Sequence, residues 1–287
     1  MLKNFILIAI INRNLYYLPV LRRHKNMLMA LDVSNTNIEI GILNGYDIKA
    51  RFKMSTNTNQ TSDEIGNIIY KFCAFENVDI SKLENIIISS VVPNIMYSLT
   101  HGLKKYFCIE PMVVNSHIKT GITLDMEYPS QLGNNRLVNL AAAYHFYGGP
   151  AIVIDYSTAT TFDVLDKNGC FITGITAPGI DICASALYKK TAQLPKIELK
   201  KPDSIYCRNM VECIQAGIYY GHVGETQYIV NRIKKELGYD DVKIIATGGF
   251  ARSIDCANHF FTYYDPYLSF KGMRLLYDMN KDEKEGK

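Results

Sequence analysis

Leu28-Met29-Ala30-Leu31-Asp32-Val33-Ser34-Asn35-Thr36-Asn37 runs into the alternation Ile38-Glu39-Ile40-Gly41-Ile42, and a second segment of the chain has the same build. Ala151-Ile152-Val153-Ile154-Asp155-Tyr156-Ser157-Thr158-Ala159-Thr160-Thr161 runs into Phe162-Asp163-Val164-Leu165. Each copy is an apolar, buried-type strand ending in Asp, then a tight turn of small hydroxyl or amide residues, then a second strand. Asp32 and Asp155 lie nearly half a chain apart. A carboxylate at a strand end, beside a turn rich in N–H and O–H donors, suits a metal-bound polyphosphate. Two such hairpins facing each other would hold a nucleotide between two halves.

The surrounding pattern extends the duplication. After the first hairpin, residues 46–54 form a third strand, and Ser62-Asp63-Glu64 caps a helix to about Phe75. Ile86-Ile87-Ile88 is a short buried strand, Pro93 opens a helix at its first turn, and Pro111-Met112-Val113-Val114 is another strand. The second half begins with strands at 151–155, 160–165 and 170–176, and Pro178 leads a helix through Leu187. A long helix over about 210–237, a strand at 242–246, a Gly248-Gly249 break and a helix from Pro266 to about Met279 follow. An Ala-rich helix over 137–146 lies between the halves. Two βββαβα units around a cleft make an α/β fold of the actin and acetate-and-sugar-kinase type. The alternative is one doubly wound α/β domain with a chance echo.

Bulk properties narrow the function classes. The 287 residues are 48% apolar and 21% charged, as in a globular protein with ample core. A net charge of +3 without basic clustering implies no nucleic-acid surface. Seven Cys without any C-x-x-C pair indicate neither a disulfide framework nor a zinc site, but reduced thiols in a cytoplasmic protein. The apolar run 5–11 is far short of the ~20 residues that span a bilayer. Arg22-Arg23-His24-Lys25 reads as a solvated charge cluster. Residues 1–26 are expected to be an extension outside the fold, with an upstream start codon as its origin.

Four elements carry chemistry. Asp32 and Asp155 can hold cations, while Asn35, Thr36, Thr158 and Thr160 donate to phosphate oxygens. Thr247-Gly248-Gly249 ends a buried strand, and its glycines would let backbone approach adenosine; a plain strand–helix turn fits equally well. Gly133-Asn134-Asn135-Arg136 precedes the Ala-rich helix, whose N-terminus attracts anions while Arg136 offers a fork for carboxylate. An Asn N-cap with a solvated Arg is the bland alternative.

These residues, with Ser89-Ser90-Val91-Val92-Pro93, Ala177-Pro178-Gly179, Thr191-Ala192-x-Leu194-Pro195, Gln215-Ala216-Gly217 and Leu268-x-x-Lys271-Gly272, fall in one order along nearly the whole chain. That series resembles type III pantothenate kinase. The resemblance implies ATP-dependent phosphorylation of pantothenate at its hydroxyl in coenzyme A synthesis. It also implies Mg²⁺ with ATP, a monovalent cation (K⁺ or NH₄⁺) near the second Asp, and a homodimer with active sites at the interface. By the same resemblance, Asp32 (with Mg-ATP), Ser34, Asn35, Thr36, Asn37, Thr158, Thr247, Gly248 and Gly249 bind ATP. Asp155 holds the monovalent cation, and Gly133, Asn134, Asn135, Arg136, Met210 and Met126 face pantothenate. The domains implied are 27–128 and 149–287, two kinase halves joined by a substrate loop and helix at 129–148.

The departures cluster at the site. Asn135 stands where the family has its catalytic Asp, and an amide cannot take a proton at neutral pH. Ser34 and Ser157 stand at turn glycines, and would add strain if those positions need φ > 0. Thr173 replaces a glycine while Gly174 keeps its neighbour. Met210 replaces a substrate-contacting Thr and Met126 a Tyr. Asp125 and Glu127 are candidate substitute bases, or plain loop acids. Losing a general base removes about 10²–10⁴ in rate, yet phosphoryl transfer relies mainly on positioning and charge neutralisation. The expectation is a weakened pantothenate kinase; the rivals are a non-catalytic kinase-like binding or regulatory protein, and a kinase for another substrate such as a sugar or acetate.

Overall fold

The computed structural model describes residues 6–11, 14–19, 26–255 and 260–284. Strands β1 (Ile6–Ile11) and β2 (Asn14–Pro19) form an antiparallel pair that joins neither larger sheet. The basic cluster at Arg22–Lys25 lies outside the described residues. The first half then runs β3 (Met27–Val33), β4 (Asn37–Asn44), β5 (Asp47–Ser55), α1 (Ser62–Phe75), β6 (Leu83–Ser90), α2 (Met96–Phe107) and β7 (Met112–Val113). After β8 (Thr123–Leu124) and α3 (Asn134–Tyr147) come β9 (Ala151–Tyr156), β10 (Ala159–Leu165) and β11 (Cys170–Pro178). The chain closes with α4 (Ile180–Lys190), α5 (Met210–Leu237), β12 (Lys243–Gly248), α6 (Ala251–Asp255), β13 (Tyr263–Tyr264) and α7 (Leu268–Asn280).

The sheets repeat one plan. The first is ordered β5-β4-β3-β6-β7 and the second β13-β12-β9-β10-β11-β8. In each, the Asp-bearing strand pairs antiparallel with its hairpin partner and parallel with a later strand. The register makes the duplication explicit: Asp32 lies between Glu39 and Ser89, and Asp155 between Thr161 and Thr247. Ser89-Ser90 thus occupies in one half the place of Thr247-Gly248 in the other. The fold is α/β, of the actin and acetate-and-sugar-kinase type.

Side-chain alternation then decides what each aspartate faces. Leu28 and Ala30 point into a core shared with α3 and α7, whereas Met29, Leu31 and Val33 point into the core under α1 and α2. On β9, Ala151 and Val153 join the shared core, and Ile152, Ile154 and Tyr156 join the one built with α5. Asp32 and Asp155 fall in the first register on each strand, so both carboxylates turn toward the middle layer, where α3 runs.

Local capping explains the small boundary differences. α1 is capped by Thr61, whose side chain and that of Glu64 form a capping box. Pro93 begins a 3₁₀ turn rather than the α-helix, and Pro178 ends β11 so that Gly179 caps α4. α7 starts at Leu268, after Pro266. The short β8 and β13 went unforeseen, because two-residue strands are too short to show a period, whereas α6 forms at the strand–helix turn read at Gly248-Gly249.

Candidate active site

A cavity of about 1020 Å³ opens between the two hairpins, and both Asp32 and Asp155 line it. Ser34, Thr36 and Asn37 line it from one turn, Ser157 and Thr158 from the other, and Thr247, Gly248 and Gly249 from the end of β12. Thr36 Oγ1 and Thr158 Oγ1 lie 3.5 Å apart, so the two turns meet across the mouth. Asn35 is exposed and does not line the cavity; Thr160 is buried, its hydroxyl without a hydrogen-bond partner.

Helix α3 bridges the carboxylates. Asn135 Nδ2 donates to Asp32 Oδ1 at 2.8 Å, and Ser89 Oγ donates to Asn135 Oδ1 at 2.9 Å. One turn on, Asn139 Nδ2 donates to Asp155 Oδ2 at 3.3 Å. The i, i+4 spacing places both amides on the helix face toward the two strand ends. Asn139 is 3% exposed, lines the cavity, and its Oδ1 has no protein partner. Sequence reading missed Asn139; the spacing Asn135-x-x-x-Asn139 in an otherwise apolar helix was the available signal.

Burial pushes the Asp32 carboxyl up to about 7, with help from the negative charges of Asp155 and Glu39. Burial pushes Asp155 up to about 7 as well, aided chiefly by Asp163. The folded chain therefore holds protons that the unfolded chain releases near pH 4, so stability falls as pH rises from there through 7. In chelator, the free energy of urea unfolding should be about 5 kcal/mol lower at pH 8 than at pH 5, the sum over the two carboxyls. A flat profile would contradict this electrostatic picture.

The substrate-loop residues separate. Gly133 is the N-cap of α3, without a side-chain cap bond, and Asn134 donates to the Ser90 carbonyl at 3.1 Å. The Asn N-cap alternative is therefore not what forms. Asn134 lines a neighbouring cavity of about 510 Å³ instead. The Arg136 fork meets an internal carboxylate: its Nε donates to both oxygens of buried Asp163 at 3.0 and 3.1 Å, and Nη2 adds a third bond. Arg136 is accordingly not simply solvated: Nε and Nη2 are engaged by Asp163, while its side chain keeps 23% exposure. Met126 packs against the shared core, and Met210 starts α5 with 55% exposure, outside the cavity. Asp125 and Glu127 are exposed and do not line it.

The serine replacements carry no backbone strain, for neither Ser34 nor Ser157 has positive φ. Each brace is local: Ser34 Oγ donates to the Asn37 carbonyl at 2.9 Å, and Ser157 Oγ to the Ala159 carbonyl at 3.2 Å. Gly248 does need its freedom. Its φ is +91°, and a Cβ would lie 2.4 Å from the Tyr156 carbonyl oxygen. Gly248→Ala should cost about 2–3 kcal/mol in denaturant melts and weaken nucleotide binding; unchanged stability would refute the close approach.

Donor chemistry fits the implied ligands. The cavity is also lined by Arg51, Lys53, Lys189, Lys190 and Arg252, a cationic set for polyphosphate that the motifs did not reveal. Asp155 with the unpartnered Asn139 Oδ1 is an all-oxygen set suited to a hard cation. No helix among the described residues is long and apolar enough to cross a membrane.

The model of the family named type III pantothenate kinase matches residues 28–232. A type III pantothenate kinase from Agathobacter rectalis is 47% identical over 251 residues, covering 88% of this chain and 96% of that protein. Among solved structures, a conserved Baf family protein from Campylobacter jejuni aligns with a TM-score of 0.53 at 19% identity, over 88% of this chain and 99% of that one. A reductive activator for a corrinoid, iron-sulfur protein also gives 0.53, at 11% identity, over 94% of this chain and 63% of that one. Those two likenesses concern the fold. With 47% identity across nearly its full length and a family model spanning 28–232, the chain belongs to the type III pantothenate kinase family.

Proposed function

We propose that this protein transfers the γ-phosphoryl group of ATP to the hydroxyl of pantothenate, at a reduced rate. The observation that carries the reading is the convergence of Asp32 and Asp155 on one cavity, each held by an amide of α3. Thr36, Asn37, Ser157 and Thr158 would cradle the phosphates, and Gly248-Gly249 the nucleoside. Mg²⁺ bound with ATP would neutralise phosphate charge, with Asp32 as its protein partner. Asp155 and Asn139 Oδ1 would hold K⁺ or NH₄⁺. Asn135 keeps Asp32 oriented but is no base for the hydroxyl proton, since an amide takes no proton at neutral pH. Positioning and charge neutralisation remain, and they do most of the work in this chemistry.

The halves 27–128 and 149–287, joined through 129–148, would close on the nucleotide. Met210, exposed and outside its own chain's cavity, fits a homodimer in which it reaches the partner's substrate. Asn135 also favours a second reading, ligand binding without turnover. Purified protein with Mg-ATP, pantothenate and K⁺ or NH₄⁺ should form a phosphorylated product detectable by mass spectrometry. No product from either the wild type or Asn135→Asp would remove catalysis, and calorimetric binding alone would then support the second reading.

A further inference from the structure

Two tyrosines, Tyr264 and Tyr267, line the cavity, and each keeps 38% exposure. Strand alternation separates Tyr264 from its neighbour. On one face of β13, Tyr263 stacks on the Tyr147 ring, with centroids 4.6 Å apart and an interplanar angle of 30°. Tyr264 turns to the other face, that of the cavity. β13 runs parallel to β12, with Tyr264 opposite Ala246, two residues before Gly248. An aromatic ring thus stands beside the glycine break.

The turn that follows is locked by one buried carboxylate. The Asp265 N–H donates to the Ala246 carbonyl at 2.9 Å, which ties the turn to the end of β12. Asp265 is 4% exposed, and its Oδ1 accepts from the Tyr267 N–H at 3.0 Å. Its Oδ2 accepts from the Tyr147 hydroxyl at 2.8 Å and from Lys271 Nζ at 2.7 Å. The charge is paired inside the fold, so the backbone carrying both cavity tyrosines is fixed before any ligand arrives. Tyr267 is the N-cap of α7, and Arg51 of β5 covers its ring, with Cζ 5.4 Å from the centroid. Gly248, Gly249, Phe250 and Pro266 share this cavity and bring no amide or carboxylate side chain to read a base edge.

On the reading of this cavity as a nucleotide site, on which this inference rests, we propose that Tyr264 and Tyr267 hold the purine ring of ATP by stacking. A base offers its π-face to an aromatic side chain whatever its edge, and each such stack contributes appreciable affinity. Rings on a pre-set turn gain that affinity without the cost of ordering a loop. Recognition then divides in two: the basic lining takes the triphosphate and the tyrosines take the base.

Calorimetric titration of the full chain with Mg²⁺ and either ATP or inorganic tripolyphosphate separates these parts, since the second ligand has the charge and lacks the base. The wild type should bind Mg-ATP more tightly than tripolyphosphate. Tyr264→Ala and Tyr267→Ala should each weaken Mg-ATP by about 5-fold or more, the scale of one lost base stack, and leave tripolyphosphate within about 2-fold. Tyr264→Phe and Tyr267→Phe keep the rings and should restore the Mg-ATP affinity. Alanine variants that bind Mg-ATP like the wild type would overturn the stacking and leave phosphoryl transfer standing. Equal losses for both ligands, or phenylalanine variants as weak as the alanines, would overturn it as well. The expected binding pattern without any phosphorylated pantothenate would uphold the stacking and remove only turnover.

Discussion

Asn135→Asp is expected to raise pantothenate-dependent turnover by about 10²-fold or more at saturating Mg-ATP, the usual scale of a restored general base. The wild-type amide accepts from Ser89 at its oxygen and donates to Asp32 from its nitrogen, and it takes no proton at neutral pH. A carboxylate of the same shape keeps the Ser89 bond and gains an oxygen able to accept the substrate's proton. It also sets a second negative group 2.8 Å from Asp32, where the amide nitrogen now lies. In metal-free buffer the two carboxyls then share a proton or repel, so the variant should melt below the wild type, and Mg²⁺ with nucleotide should restore the difference. Asn135→Ala separates base from positioning, since it removes the bond to Asp32 and supplies no acceptor. It should fall below wild type in turnover. An Asn135→Asp variant that binds ATP normally yet turns over no faster would place the bottleneck elsewhere in the site.

The parts of this fold legible in the sequence were those with a period. The twin strand–turn–strand segments, the alternation on β4 and the long helix α5 all announce themselves, and their ends fall within a few residues of expectation. The same period fixes the direction of Asp32 and Asp155, because Leu28 and Ala30, like Ala151 and Val153, show which register faces α3. What stayed hidden were pairings between elements. Nothing in an Ala-rich helix says that Asn139 will meet Asp155, or that Arg136 will be taken by Asp163 on another strand. The serine-for-glycine changes looked costly from the sequence because φ is invisible there. In the fold both turns have ordinary φ, and the added hydroxyls close them. The basic lining of the cavity was equally hidden, since Arg51, Lys189 and Arg252 come from three distant elements.

Asp163→Ala should destabilise the protein by about 3–5 kcal/mol, the scale for removing one partner of a buried ion pair. Asp163 is 1% exposed, and its folded-state pKa is raised by burial, with the Arg136 bonds pulling the other way. Without it the guanidinium, which also sits over the Phe171 ring at 5.9 Å, keeps its desolvation and loses its charge partner. Because Arg136 directly follows Asn135, the damage should reach the catalytic face. The first turn of α3 would be free to rotate, and the KM for pantothenate should rise along with the loss of stability. Gly174→Ala provides an independent approach to the same pair. A Cβ there would lie 2.1 Å from Arg136 Nη2 and 2.7 Å from Asp163 Oδ1, so the pair must part although both partners remain. If the pair anchors α3, the two variants should share a phenotype of lowered unfolding free energy and raised KM, with ATP affinity less affected. A Gly174→Ala protein with wild-type KM would show that Arg136 and Asp163 contribute to stability alone, and that Asn135 keeps its place through Ser89 and Asp32.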